Sequence, residues 1–214
     1  MSDYAPAHEK ANIITHLLGF LFGLVGLPFL VVAISESADT TSGDLAGGVV
    51  YGIGFLMVFG FSTLYHAQKE TKPRMLMKIW DHISIYYLIA GTYTPFLLAY
   101  ADPSDAKLML WILWGLAFAG TVFKVFFTGR FRLVSTLIYL AMGWLVVFAP
   151  ESFGENLPNE QFYWIAAGGA CYTIGAVFYI VKKIPFHHAI WHVFVLGGAI
   201  SHFFGILKIF QISY

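Results

Sequence analysis

The stretch Phe186-His187-His188-Ala189-Ile190-Trp191-His192-Val193-Phe194-Val195-Leu196-Gly197-Gly198-Ala199-Ile200-Ser201-His202 decides how the chain is read. Continued to Phe210, it is apolar and long enough to cross a bilayer as a helix. Yet it carries four histidines. Ionisable side chains are costly inside a membrane and by default mark function. His188 and His192 are four residues apart, so on a helix both rings share one face, ~6 Å from each other. Such a pair offers a metal two ligands. Hydrogen bonds from each ring to neighbouring helices are the alternative.

The rest of the sequence supports a membrane setting. Of 214 residues, 58% are hydrophobic and only 11% charged, beyond the range of soluble domains. The net charge is zero, with no basic face for nucleic acid. Cys171 is the only cysteine, which excludes an intrachain disulfide and a thiolate metal cluster. A metal here must use nitrogen and oxygen ligands. The first apolar run is too long for a signal-peptide core and reads as a retained helix. Loops are short and no soluble domain intervenes, so residues 1–214 form one transmembrane domain.

The apolar runs predict an all-α bundle of seven transmembrane helices, roughly 12–34, 43–66, 75–100, 107–127, 130–150, 161–181 and 186–210. Alternate connections differ in charge. Lys69, Lys72, Arg74, Arg130, Arg132, Lys182 and Lys183 fall on one side. Glu36, Asp39, Asp44, Asp102, Asp105, Glu151, Glu155 and Glu160 fall on the other. The positive-inside rule then puts the N-terminus in the cytoplasm and the C-terminus outside, in a multi-pass protein of the inner (plasma) membrane. Trp80, Trp191, Trp111 and Trp164 read as interfacial anchors. Gly19-x-x-x-Gly23 and Gly48-x-x-x-Gly52 allow close helix contact. Pro95 kinks the third helix, as a packing device or to open a cavity, and Thr92 or Thr94 serves a freed carbonyl.

This topology gathers polar residues at one depth. Ser62 and His66 end the second helix, Asp81 begins the third, and His188 and His192 begin the seventh. Three neutral imidazoles with an open position are the ligand set of a catalytic zinc, which brings the pKa of water down to ~7. Asp81 would act as general base or orient that water, and Ser62 would hydrogen-bond water or substrate. The residues between His188 and His192 are Ala189, Ile190 and Trp191, so this is not the glutamate-bearing metalloprotease helix. His187 points off the face of His188 and reads as interfacial, His82 points off the face of Asp81, and His8 reads as solvated. His16 is an outer donor or makes an interhelical hydrogen bond. His202 lies ~15 Å from His192 along the helix, too far to share a metal; a buried hydrogen bond or a proton path are its readings.

Ser62-x-x-x-His66, Asp81-His82-Ile83-Ser84-Ile85-Tyr86 running into Ala90-Gly91-Thr92-Tyr93-Thr94-Pro95-Phe96, and His188-x-x-x-His192 running to His202-Phe203 resemble the hemolysin III proteins. These are the bacterial branch of the progestin and adiponectin receptor family. The resemblance extends from Glu9 and Asn12 to Gly205. It implies seven helices and an intramembrane zinc held by His66, His188 and His192, with Asp81 on the water and Ser62 beside it. It also implies a link to ceramide hydrolysis, through the receptor branch and the alkaline ceramidases, and to membrane-lipid homeostasis.

The expected activity is zinc-dependent, ceramidase-like hydrolysis of a lipid amide or ester. A non-catalytic sensor stapled by zinc and a proton-coupled transporter using Asp81 and His202 are the alternatives. A haem protein is disfavoured, because paired axial histidines would need to sit on facing helices at two depths. The helices carry too few polar residues to line an aqueous pore.

Overall fold

The computed structural model describes residues 5–38 and 40–210; Asp39, counted above in an acidic connection, lies outside the described residues. Helix α1 spans Pro6–Glu36, α2 Ser42–Ala67, α3 Thr71–Tyr100 and α4 Pro103–Phe127. Then come α5 Arg132–Gly143, a 3₁₀ turn Trp144–Phe148, α6 Glu151–Asn156, α7 Asn159–Ile180 and α8 His187–Ile209. Among the described residues there is no strand. Pro6 and Pro103 occupy first-turn positions, where a missing N–H costs nothing. Thr41 and Asp44 cap α2 reciprocally: each side chain accepts from the other's backbone N–H.

Among the described residues six helices are long and apolar enough to cross a membrane, the pattern of an all-helical, multi-pass protein. The stretch expected as one helix over 130–150 departs from that pattern. Its α-helical part is 12 residues, followed by five in a 3₁₀ turn. The cause is a side chain inserted into the backbone ladder. Tyr93 Oη donates to the Gly143 carbonyl at 2.6 Å and accepts from Val146 N at 2.8 Å. The short α6 in the following connection had no counterpart in the hydrophobic pattern.

Helix α2 is the centre of the packing, and Tyr51, Phe55 and Phe59 on it are fully buried. It meets α3 backbone to backbone. A Cβ at Gly54 would stand 2.8 Å from the Tyr87 carbonyl, and one at Gly91 would stand 3.1 Å from the Val50 carbonyl. Small residues at such crossings permit the dispersion contacts that hold membrane helices together. Gly19 and Gly23 likewise receive Phe59 and Phe55, and Gly48 receives Ile34. Helix α3 continues through Pro95, with Thr92 and Thr94 hydroxyls donating to the Leu88 and Ala90 carbonyls at 2.7 and 2.8 Å. Helix α1 lies between α2 and α8 and packs on both, and α7 packs on α8.

Candidate metal centre

Two helices supply imidazoles and a third orients them. His66 sits in the last turn of α2, and His188 and His192 in the first turns of α8. One ring nitrogen of each lies within 4.8 Å of one from both others. Ring centroids are 5.2 Å apart for His66 and His188, 5.1 Å for His66 and His192, and 4.5 Å for His188 and His192. The convergence expected from helical spacing and common depth is therefore present for all three.

Helix α1 holds the rings by their outer edges, through residues at steps of three along one face. Glu9 Oε2 accepts from His66 Nδ1–H at 2.6 Å, while Glu9 Oε1 accepts from Arg74 Nη2 at 2.6 Å. Arg74 Nη1 also donates to the Tyr65 and Gln68 carbonyls at 3.1 and 2.8 Å, closing the C-terminal end of α2. The Asn12 carbonyl accepts from His192 Nδ1–H at 3.3 Å, and Thr15 Oγ1 lies 3.2 Å from the same nitrogen. An imidazole that donates from Nδ1 presents its Nε2 lone pair inward, and outer partners of this kind fix metal-ligating histidines.

The residues fit a metal. His66 Nε2 is buried without a hydrogen-bond partner, a situation that costs about 1–3 kcal/mol for a polar atom. A divalent cation shared with the other two rings would satisfy it. The all-nitrogen donor set suits zinc and other borderline metals. Glu9, Asn12 and Thr15 were not singled out for this role from the sequence. The available hints were the three-residue spacing of Glu9, Asn12 and Thr15 and the start of the family resemblance at Glu9 and Asn12.

The remaining polar candidates occupy distinct positions. Ser62 is buried one turn before His66, and its Oγ has no hydrogen-bond partner. Asp81 lines the same cavity as His188 and His192, outside the group of three imidazoles, and its Oδ2 lies 3.6 Å from His82 Nδ1. His82 Nδ1–H donates to the Lys78 carbonyl at 2.7 Å, and the ring lines the cavity. His16 makes no interhelical hydrogen bond; it stacks on His192 with centroids 3.6 Å apart and meets Phe59 edge-on. His187 is buried within the protein. His8 packs its ring on Phe186 at 4.2 Å instead of standing in solvent. His202 Nε2 donates to the Ile165 carbonyl at 3.3 Å, the buried hydrogen bond expected of it.

His188 and His192 of the triad line a cavity of about 1140 Å³ between α3, α5, α7 and α8, larger than most small-molecule sites. Its walls are mainly aliphatic and aromatic, including Ile85, Ile89, Leu140, Val147 and Phe162. Thr92, Tyr93 and Phe96, around Pro95, face it as well. Trp191 lines it too and packs on Tyr179 at 5.7 Å, so this residue is more than an interfacial anchor.

The sequence matches the family model described as Haemolysin-III related over residues 4–203. It is 43% identical over 199 residues to the Hemolysin-3 homolog of Bacillus subtilis (strain 168), covering 93% of this chain and 92% of that protein. Against Hemolysin-3 of Bacillus cereus the identity is also 43% over 199 residues, with 93% and 90% covered. The human monocyte to macrophage differentiation factor, a member of the progestin and adiponectin receptor family, is 31% identical over 224 residues, with 97% and 90% covered. The family model, matched over nearly the whole chain, and these relatives place this helical bundle with its three converging imidazoles in the haemolysin III-related family.

Proposed function

We propose that this protein is a zinc-dependent hydrolase that cleaves an amide or ester bond in a lipid. It acts in the plasma membrane, with its basic end toward the cytoplasm. The observation that carries this reading is the coincidence of three converging imidazoles with an apolar cavity large enough for acyl chains. Held by His66, His188 and His192, zinc would polarise the scissile carbonyl and activate water near neutral pH. Asp81, on the cavity wall, accepts the proton from the attacking water at its carboxylate and delivers it to the leaving group. Ser62 Oγ donates a hydrogen bond to the carbonyl oxygen as negative charge develops there. The apolar walls hold the chain in place and keep bulk water out.

The test uses the purified full-length chain, with zinc content and lipid turnover measured side by side. Wild type should carry stoichiometric zinc, and His188→Ala should lose it. Asp81→Ala should keep zinc and lose turnover by about 10²- to 10⁴-fold. Undiminished turnover in Asp81→Ala would refute the hydrolytic mechanism.

A second reading is favoured by the position of Asp81, whose carboxylate lies near His82 rather than within the triad. In it, the metal is a staple between α2 and α8, and the bundle reports the state of the bilayer. Stoichiometric zinc without turnover of any lipid would select this reading.

A further inference from the structure

Several polar side chains in the cavity wall are matched within the protein. Thr92 donates to the Leu88 carbonyl and Tyr93 to the Gly143 carbonyl. Thr173 donates to the Gly169 carbonyl and accepts from Trp144 Nε1. One neighbouring pair is not so matched. Tyr172 Oη of α7 and His202 Nδ1 of α8 are buried without a hydrogen-bond partner, and both residues line the cavity. Their rings meet, with centroids 5.6 Å apart.

The pair is built from both sides. The His202 ring fills the space beside Gly168 of α7. The Tyr172 ring fills the space beside Gly198 of α8, where a Cβ would stand 2.8 Å from its Cζ. Each helix thus makes room for the other's polar ring. A histidine inside a membrane span is costly and marks function by default, and an unmatched buried atom adds to that cost.

Two helices fix the place of the pair relative to the triad. On α8, one face carries His188, His192, Val195 and His202, and all four line the cavity. On α7, Tyr179 and Tyr172 line it too, and Tyr179 packs on His188 at 5.7 Å. Tyr172 is seven residues from Tyr179, a rise of ~10 Å, and the ten residues from His192 to His202 span ~15 Å. The pair therefore faces a point well along any acyl chain whose carbonyl lies at the triad.

Hydrogen-bonding capacity selects the ligand. His202 donates from Nε2 to the Ile165 carbonyl, so in the neutral ring Nδ1 presents a lone pair. Tyr172 Oη both donates and accepts. A carbonyl would serve the tyrosine and offer the histidine nothing. An N–H would serve one acceptor only. A hydroxyl donates to Nδ1 and accepts from Oη–H at once. A plain acyl chain lying here would leave both atoms unmatched and would displace any water that matched them.

We infer that Tyr172 and His202 form a subsite for a hydroxyl carried in the middle of an acyl chain. Placing the carbonyl of that lipid at the triad rests on the hydrolase reading; recognition of the hydroxyl by the pair does not.

The experiment compares ricinoleic acid with oleic acid, which differ by one mid-chain hydroxyl. Binding to the purified full-length chain is measured in nanodiscs at matched acid content of the bilayer, with zinc content followed in parallel. Wild type should bind ricinoleic acid about tenfold more tightly, equivalent to ~1.4 kcal/mol. Tyr172→Phe keeps the ring beside Gly198 and removes the hydroxyl. It should abolish the preference while oleic acid binding and zinc content stay as in wild type. Equal binding of the two acids by wild type would overturn the inference and leave the pair to a bound water. A preference that survives in Tyr172→Phe would overturn the assignment to this pair. The wild-type comparison stands even if the variant does not fold. Wild type purified without zinc would instead remove the hydrolase reading, and the ratio of the two acids would still decide this subsite.

Discussion

Replacing Glu9 tests whether α1 builds the metal centre or merely lies beside it. In Glu9→Ala, His66 Nδ1–H loses its carboxylate acceptor at 2.6 Å. A hydrogen bond to a charged group contributes ~1.5–3 kcal/mol, and with ~1.4 kcal/mol per decade zinc should bind about 10- to 100-fold more weakly. This agrees with the ~10- to 100-fold effect typical of losing an outer partner of a metal ligand. Glu9→Gln keeps a neutral acceptor of roughly half the strength, so its loss should be about 3- to 10-fold. The fold should survive, because Arg74 retains the Tyr65 and Gln68 carbonyls. Zinc affinity is read by chelator competition, and melting in chelator reports folding separately. A folded Glu9→Ala protein whose zinc affinity stays within about twofold of wild type would refute the role given to α1, since a loss of even ~1.4 kcal/mol is tenfold.

Three further outcomes follow from the packing and the site. Tyr93→Phe removes both hydrogen bonds that bridge the end of α5 and the 3₁₀ turn; it should cost ~1–3 kcal/mol and speed amide exchange at Val146, read by melting and hydrogen exchange. Gly168→Ala drives a methyl into the His202 ring and should cost ~1–3 kcal/mol, whereas Gly169→Ala, with open space beside it, should melt like wild type. Chelation should lower the melting temperature of wild type, since a ligand at 100 times its Kd contributes ~2.7 kcal/mol. His188→Ala should show no further drop on chelation.

The triad was legible because two regularities bear on it together. Helical period puts His188 beside His192, and the charge of the connections puts His66 at the same depth. Neither regularity says which helices are neighbours. Glu9, Asn12 and Thr15 therefore gave no sign of their partners, because those contacts arise from α1 lying between α2 and α8. The stack of His16 on His192 is hidden for the same reason. The break after Gly143 depends on a tyrosine 50 residues earlier in the chain, while the local pattern there reads as an unbroken apolar helix. Asp81 follows the depth argument as far as the cavity wall and Ser62 as far as a buried position one turn before His66, but hydropathy carries no information about how a side chain at that depth is turned relative to the triad. The burial of His187 was not legible either: its helical phase points away from His188, and neighbours in space, which phase does not name, cover it.

The contact between Asn12 and His192 joins positions 180 residues apart. During synthesis the cradle is therefore made first and its final occupants arrive last. A nascent chain interrupted between α2 and α8 owns Glu9, Asn12 and His66 but lacks His188 and His192. Closing the triad thus requires insertion to have run on into α8, and a fragment that stops short of it would hold one imidazole of the three.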